Sequence, residues 1–247
     1  MRSSRRCHDG LIRAGVFLIA VCAIVGARNA SAQSNAGTVS SASGAVQIHR
    51  GGATLPATPG TPVKQGDQIG SGADGHAVIT LTDGGQLVLS PSTTITLDQY
   101  TSGGATPTRV GLVSGVLRST VEGSGGAPAD YQVETPNAIV TVTGTDFYTS
   151  YGDSSPQLGN LPGVHHYTEL DVVKGTCKMS QKKDRDKCMD VESGTSATVP
   201  GDDEPVCHKR KFDHDHDHDK DHGHDKDKDH GHDKHCDKRC DPDHDRS

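Results

Sequence analysis

His76-Ala-Val-Ile-Thr-Leu81, Thr82-Asp83-Gly84-Gly85 and Gln86-Leu-Val-Leu89 run on without a break, and their alternation decides the fold. Ala77, Ile79 and Leu81, then Leu87 and Leu89, recur at a period of two, which puts them on one face of an extended chain. The Asp83-Gly84 step between the two runs is a strong hairpin signal, because both residues tolerate the positive φ of a tight turn. The stretch therefore reads as strand, turn, strand.

Working outward, the same period recurs in Ala45–His49, Ile95–Leu97, Thr108–Leu112, Tyr131–Val133 and Ala138–Val142. It continues in Phe147–Ser150, Tyr167–Val173 and Thr195–Val199. Short, evenly spaced strands with no helical-period segment among them predict an all-β domain over residues 37–200. The chain has no Trp, so Val, Ile and Leu must fill a narrow core. A small sandwich or a β-helix-like roll suits such a core better than a wide barrel. Gly123-Ser-Gly-Gly126 is expected to be a surface loop between two halves of the sheet, and residues 152–165 a second loop.

The ends read differently. Arg2, Arg5 and Arg6 precede an apolar run from Ala14 to Ala27, followed by the small residues Ala30-Ser31-Ala32. That order predicts a secretory signal peptide over 1–32, hence a periplasmic or secreted protein with no membrane span after cleavage. Its removal takes five arginines and one aspartate, moving the net charge from -7 to -11. An acidic exported chain is not built for nucleic acid or anionic membrane surfaces. Cys7 and Cys22 leave with the signal. Cys177, Cys188, Cys207, Cys236 and Cys240 remain, an odd number in a compartment that permits disulfides.

From Pro200 onward apolar residues nearly vanish, and 201–247 is expected to be a disordered tail in the absence of a ligand. Histidine and aspartate alternate there, and Lys-Asp-His-Gly-His-Asp-Lys occurs from Lys220 and again from Lys228. Tracts of this composition are metal-binding candidates. The expected ligands are His208, His214, His216, His218, His222, His224, His230, His232, His235 and His244, with Cys236 and Cys240 as thiolates or as a second disulfide. Neutral imidazole suits Ni, Zn, Cu or Co, and carboxylates can complete the shell. The spacing is neither that of a zinc finger nor that of an EF-hand, so several overlapping sites of modest selectivity are expected. Protonation below about pH 6 would release the metal.

At Gly66-Asp67-Gln-Ile69-Gly-Ser-Gly72, then Ala77 to Gly85, the chain resembles the FecR family of extracytoplasmic domains. Gly115-Val-Leu117-Arg118, Thr135-Pro136-Asn-Ala138, Thr143-Gly144-Thr145-Asp-Phe147 and Val172-Val-Lys-Gly175 with Glu192-Ser-Gly194 continue the resemblance in order, over about 37–200. The family includes transmembrane anti-sigma factors that regulate iron uptake. This chain departs from their plan, with a signal peptide ahead of the domain and the acidic histidine tail behind it. The resemblance implies a non-enzymatic β-domain that works through protein contacts. No cofactor is required on this reading.

No catalytic motif stands out. There is no Gly-x-Ser-x-Gly and no phosphate loop, and His165-His166 as a thiol dyad with Cys177 lacks a third member. Cys177 and Cys188 flank a charged loop, which places them on a hairpin where a disulfide could clamp the turn. The expected function is binding of an envelope or periplasmic protein, with capture of transition-metal ions by the tail. A structural envelope scaffold with a solubilising tail is the alternative.

Overall fold

The computed structural model describes residues 35–100, 108–121, 131–142, 144–209 and 238–240. In chain order the strands begin with β1 (Asn35–Ser43), β2 (Val46–Arg50), β3 (Ala53–Pro56), β4 (Pro62–Lys64), β5 (Gln68–Ser71) and β6 (His76–Leu81). They continue with β7 (Gln86–Leu89), β8 (Thr94–Gln99), β9 (Thr108–Thr120), β10 (Tyr131–Glu134), β11 (Ala138–Val142) and β12 (Asp146–Gly152). The last are β13 (Tyr167–Lys174), β14 (Thr176–Gln181), β15 (Cys188–Glu192), β16 (Thr195–Pro200), β17 (Val206–Lys209) and β18 (Lys238–Cys240). The all-β expectation is met, in the form of a sandwich.

One sheet runs β4-β1-β6-β7-β9-β12-β13-β16-β17, antiparallel throughout. The other runs β3-β2-β5-β8-β9-β10-β11-β14-β15-β18, with parallel steps at β9–β10 and β15–β18. The long strand β9 belongs to both. Its first half pairs with β8 and β10, and its second half with β7 and β12. Gly115, at φ 90°, marks the change of sheet. A Cβ there would lie 2.6 Å from the Thr93 Cα, so the bend admits glycine alone.

Inward residues of both sheets share one apolar core, from Ile48, Ile69 and Leu112 on one side to Ile79, Leu117, Phe147 and Leu170 on the other. Alternation explains it: β6 and β7 bury every second residue on the same side. Tyr131 and Phe147 meet edge to face across the two layers at 6.3 Å, and the Tyr131 hydroxyl reaches Ser119 Oγ at 3.1 Å. The Thr135-Pro136-Asn137 motif is a second tie between the layers. Thr168 Oγ1 donates to Asn137 Oδ1 at 2.5 Å, and Asn137 Nδ2 donates to the carbonyls of Val199 at 3.0 Å and Gly201 at 2.6 Å. All of these polar side chains are buried and partnered, as a dry interior requires.

Periodicity located β6, β7 and β11 to the residue. It missed β1, whose Asn-Ala-Gly-Thr-Val-Ser-Ser-Ala-Ser offers little apolar contrast, and the short β3, β4 and β5. The boundary expected at residue 200 is also passed. β17 continues one sheet and β18 the other, so part of the expected tail belongs to the fold. The signal peptide and the Gly123–Gly126 loop lie outside the described residues. Among the described residues no helix is long and apolar enough to cross a membrane.

Candidate functional site

The last strands of the first sheet carry the polar outer face of interest. Register sets Arg118 beside Tyr148, Tyr148 beside Asp171, Asp171 beside Ser196 and Ser196 beside His208. A parallel row runs Val116, Ser150, Glu169, Thr198 and Val206. Residues in register across neighbouring strands project on the same face, but Ser196 and Thr198 on β16 are buried, so the accessible part of these rows is carried by β9, β12 and β13.

Arg118 anchors it. Its Nε and Nη2 donate to Asp146 Oδ1 and Oδ2 at 2.9 and 2.7 Å, and its guanidinium sits 5.3 Å over the Tyr148 ring. The bidentate bond to Arg118 holds the Asp146 carboxyl below its ordinary range. Beside the pair, a hollow of about 340 Å³ is lined by Val116, Tyr148, Ser150, Pro156, Glu169 and Asp171. Glu169 accepts the Ser155 hydroxyl proton, which seats the 153–166 loop at its rim. Two carboxylates beside an aromatic ring form a place for a basic group. The sequence reading did not single out Tyr148, Glu169 or Asp171. Their only signal was the alternation of polar residues on β12 and β13.

Of the expected metal-binding histidines, His208 is the one among the described residues. It stands on β17, and burial pushes its pKa down against the opposing charges of Glu169 and Asp171. Its Nε2 is buried with no protein hydrogen-bond partner among the described residues. His214, His216, His218, His222, His224, His230, His232, His235, Cys236 and His244 lie outside the described residues. Among the described residues no three His, Cys, Asp or Glu side chains come together as a metal site.

The cysteines correct two expectations. Cys177 is a free buried thiol, and Cys188 is disulfide-bonded elsewhere. The two do lie on adjacent antiparallel strands, but Cys177 faces Val191 while Cys188 faces Ser180. Three register steps separate them, beyond the reach of a disulfide. Burial raises the Cys177 thiol to about 12, which removes it as a nucleophile. His166 instead lies against the Tyr151 ring.

Cys240 is not a thiolate ligand in this structure, nor is it bonded to Cys236. It forms a disulfide with Cys207, with Cα atoms 5.5 Å apart and a sequence separation of 33. That bond joins β17, the end strand of one sheet, to β18, the end strand of the other. The His/Asp-rich stretch therefore leaves the sandwich at β17 and returns to it at β18. Ion pairs support the return. Glu204 meets Lys187 at 3.9 Å and also pairs with Lys238, while Asp202 pairs with Lys183.

Residues 67–164 match the family described as FecR protein. Two crystal structures of a proposed anti-sigma factor from Parabacteroides distasonis are similar to the chain, each at 17% identity and a TM-score of 0.43. In each, the similarity covers 57% of this chain and 59% of that one. No curated protein matches.

Proposed function

We propose, from the premise that this protein carries a FecR domain, that it works outside the cytosol as a non-enzymatic binding module. In this reading the sandwich contacts a protein partner, and the His/Asp-rich stretch captures divalent transition metal. The observation that carries it is the placement of that stretch. Ten histidines follow Cys207, and nine of them precede Cys240, whose disulfide to Cys207 ties the chain back at the end strand of the opposite sheet.

Physical chemistry supports both halves. Closely spaced neutral imidazoles with interleaved carboxylates suit Ni, Zn, Cu or Co. A chelating segment with both ends held loses less chain entropy on closing around an ion than a free tail does. For the partner, the hollow beside Tyr148, with Glu169 and Asp171, suits a lysine or arginine side chain.

Calorimetric titration with nickel or zinc tests the metal half. The full chain should be compared with a variant in which the eight histidines from His214 to His235 become Asn, so that β17, β18 and their disulfide are kept. Heat from the native chain and none from the variant is expected. Equal heats would remove metal capture. Pull-down from envelope extracts with and without chelator then tests the coupling, since partners retained equally in both would favour a scaffold.

A further inference from the structure

We propose that β18 is a removable edge strand, and that reducing the Cys207–Cys240 bond uncovers on β15 a docking site for an extended basic segment of a protein partner. This site lies on the other sheet from the hollow beside Tyr148 and does not depend on metal capture.

Without β18, β15 would be the edge of its sheet, and an open edge presents unpaired N–H and C=O groups to any other strand. β18 covers it with three residues, Lys238 beside Met189, Arg239 beside Asp190 and Cys240 beside Val191. It runs parallel to β15, whereas β14 on the other side is antiparallel. Little besides the disulfide holds it. Lys238 and Arg239 are exposed and pair with Glu204 and Glu192, the second at 3.6 Å. Cys240 is the one buried side chain of β18. The buried Thr195 hydroxyl reaches the Cys240 carbonyl at 3.3 Å but has the nearer Glu192 carbonyl at 2.6 Å, so it keeps a partner when β18 leaves.

What β18 uncovers defines its replacement. Asp190, Glu192 and Glu204 rim the slot, with Lys187 at 3.9 Å from Glu204. Met189 and Val191 are its buried inner residues. An incoming strand fits if it runs parallel to β15 and places a basic pair ahead of a small apolar residue, as Lys238-Arg239-Cys240 does.

Cys207 is partly exposed and Cys240 fully buried, so a dithiol reductant attacks at Cys207. Its thiolate bonds to Cys207 Sγ, the S–S bond breaks, and Cys240 leaves with the electron pair and takes up a proton. The second thiol of the reductant then displaces Cys207, and the reductant ends as its own disulfide.

Amide exchange and peptide binding on the full chain test the proposal. Cys207→Ala with Cys240→Ala removes the bond without a reductant, which would also reach the Cys188 disulfide. Exchange at 189–192 should rise about tenfold or more over the oxidised native chain, while β9 keeps its protection. Adding Arg239→Glu turns the protein's own β18 against the acidic rim. That variant should bind an acetylated peptide Lys-Arg-Val-Thr-Val at least about tenfold more tightly than the oxidised native chain does, and Glu-Glu-Val-Thr-Val no better than the native chain. Asp190→Asn with Glu192→Gln, added to it, should weaken the basic peptide about three- to tenfold. Unchanged exchange at 189–192 would overturn the proposal, since β18 would then stay in place without its bond. Loss of protection along β9 would overturn it too, because the bond would be holding the sandwich instead of one strand. So would equal binding of the basic peptide by variant and oxidised chain, or a basic peptide indifferent to the Asn and Gln substitutions.

Discussion

The two ends of the sandwich are closed by opposite means. At the β4 end, Arg50 of β2 donates from Nε and Nη2 to Asp67 at 2.7 and 2.6 Å, and from Nη2 to the Pro62 carbonyl of β4 at 2.7 Å. The Asp67 carboxylate is fully buried and also accepts the Lys64 N–H at 2.8 Å. At the β17–β18 end the two layers are joined by a covalent bond. The difference follows from what each end has to bury. Around β4 and β5 there are Val63 and Ile69 to exclude water, so a desolvated ion pair whose carboxylate accepts three hydrogen bonds is sustained. β18 is Lys-Arg-Cys, with Cys240 alone buried, and apolar area of that size cannot hold a strand.

The contrast can be broken at either end. Arg50→Ala leaves Asp67 buried without its counter-charge, and should cost about 3–5 kcal/mol in urea unfolding. A loss below about 1 kcal/mol would mean that the ion pair is not what closes that end. Cys207→Ser with Cys240→Ser should cost about 3–4 kcal/mol, the chain entropy of a loop this long. Amide exchange should then rise at 206–209 and 238–240 far more than along β9. Uniform acceleration would show that the bond stabilises the whole sandwich and not this end.

Smaller effects sharpen the picture. Arg118→Ala removes a half-exposed pair and should cost about 1 kcal/mol. Asp146 has a folded-state pKa below the ordinary 3.8, so its contribution is complete above that value and is lost as the pH falls through the lower one. Acid unfolding of the variant should lack that step, and an unchanged acid limb would contradict it. Least of all, Cys177 should resist iodoacetamide in the folded protein at mildly alkaline pH, because burial holds its thiol at about 12. Modification as fast as that of a free thiol would place it outside the core.

How much could be read beforehand depended on local contrast. β6, β7 and β11 were legible because Ile, Val and Leu alternate with Thr and Gln around a turn residue. β1 was not, since Ala36 and Val39 are its only fully buried apolar side chains and they are not spaced by two. The motif residues Thr135 and Asn137 stood out in the sequence through a resemblance alone. Their work, tying β11 to the ends of β13 and β16, depends on partners thirty to sixty residues away. Tyr148, Glu169 and Asp171 looked like ordinary outward positions until strand order brought them together.

Composition and period were enough to establish an all-β chain with a valine, leucine and isoleucine core, and a histidine-aspartate stretch that cannot bury itself. Those are properties of short windows, set by side-chain hydrophobicity and backbone geometry. Which cysteines meet, where the chain leaves one layer for the other, and that the polar stretch is tied at both ends were decided by register and strand order. Such distances arise only once the two sheets have packed, and no local window encodes them.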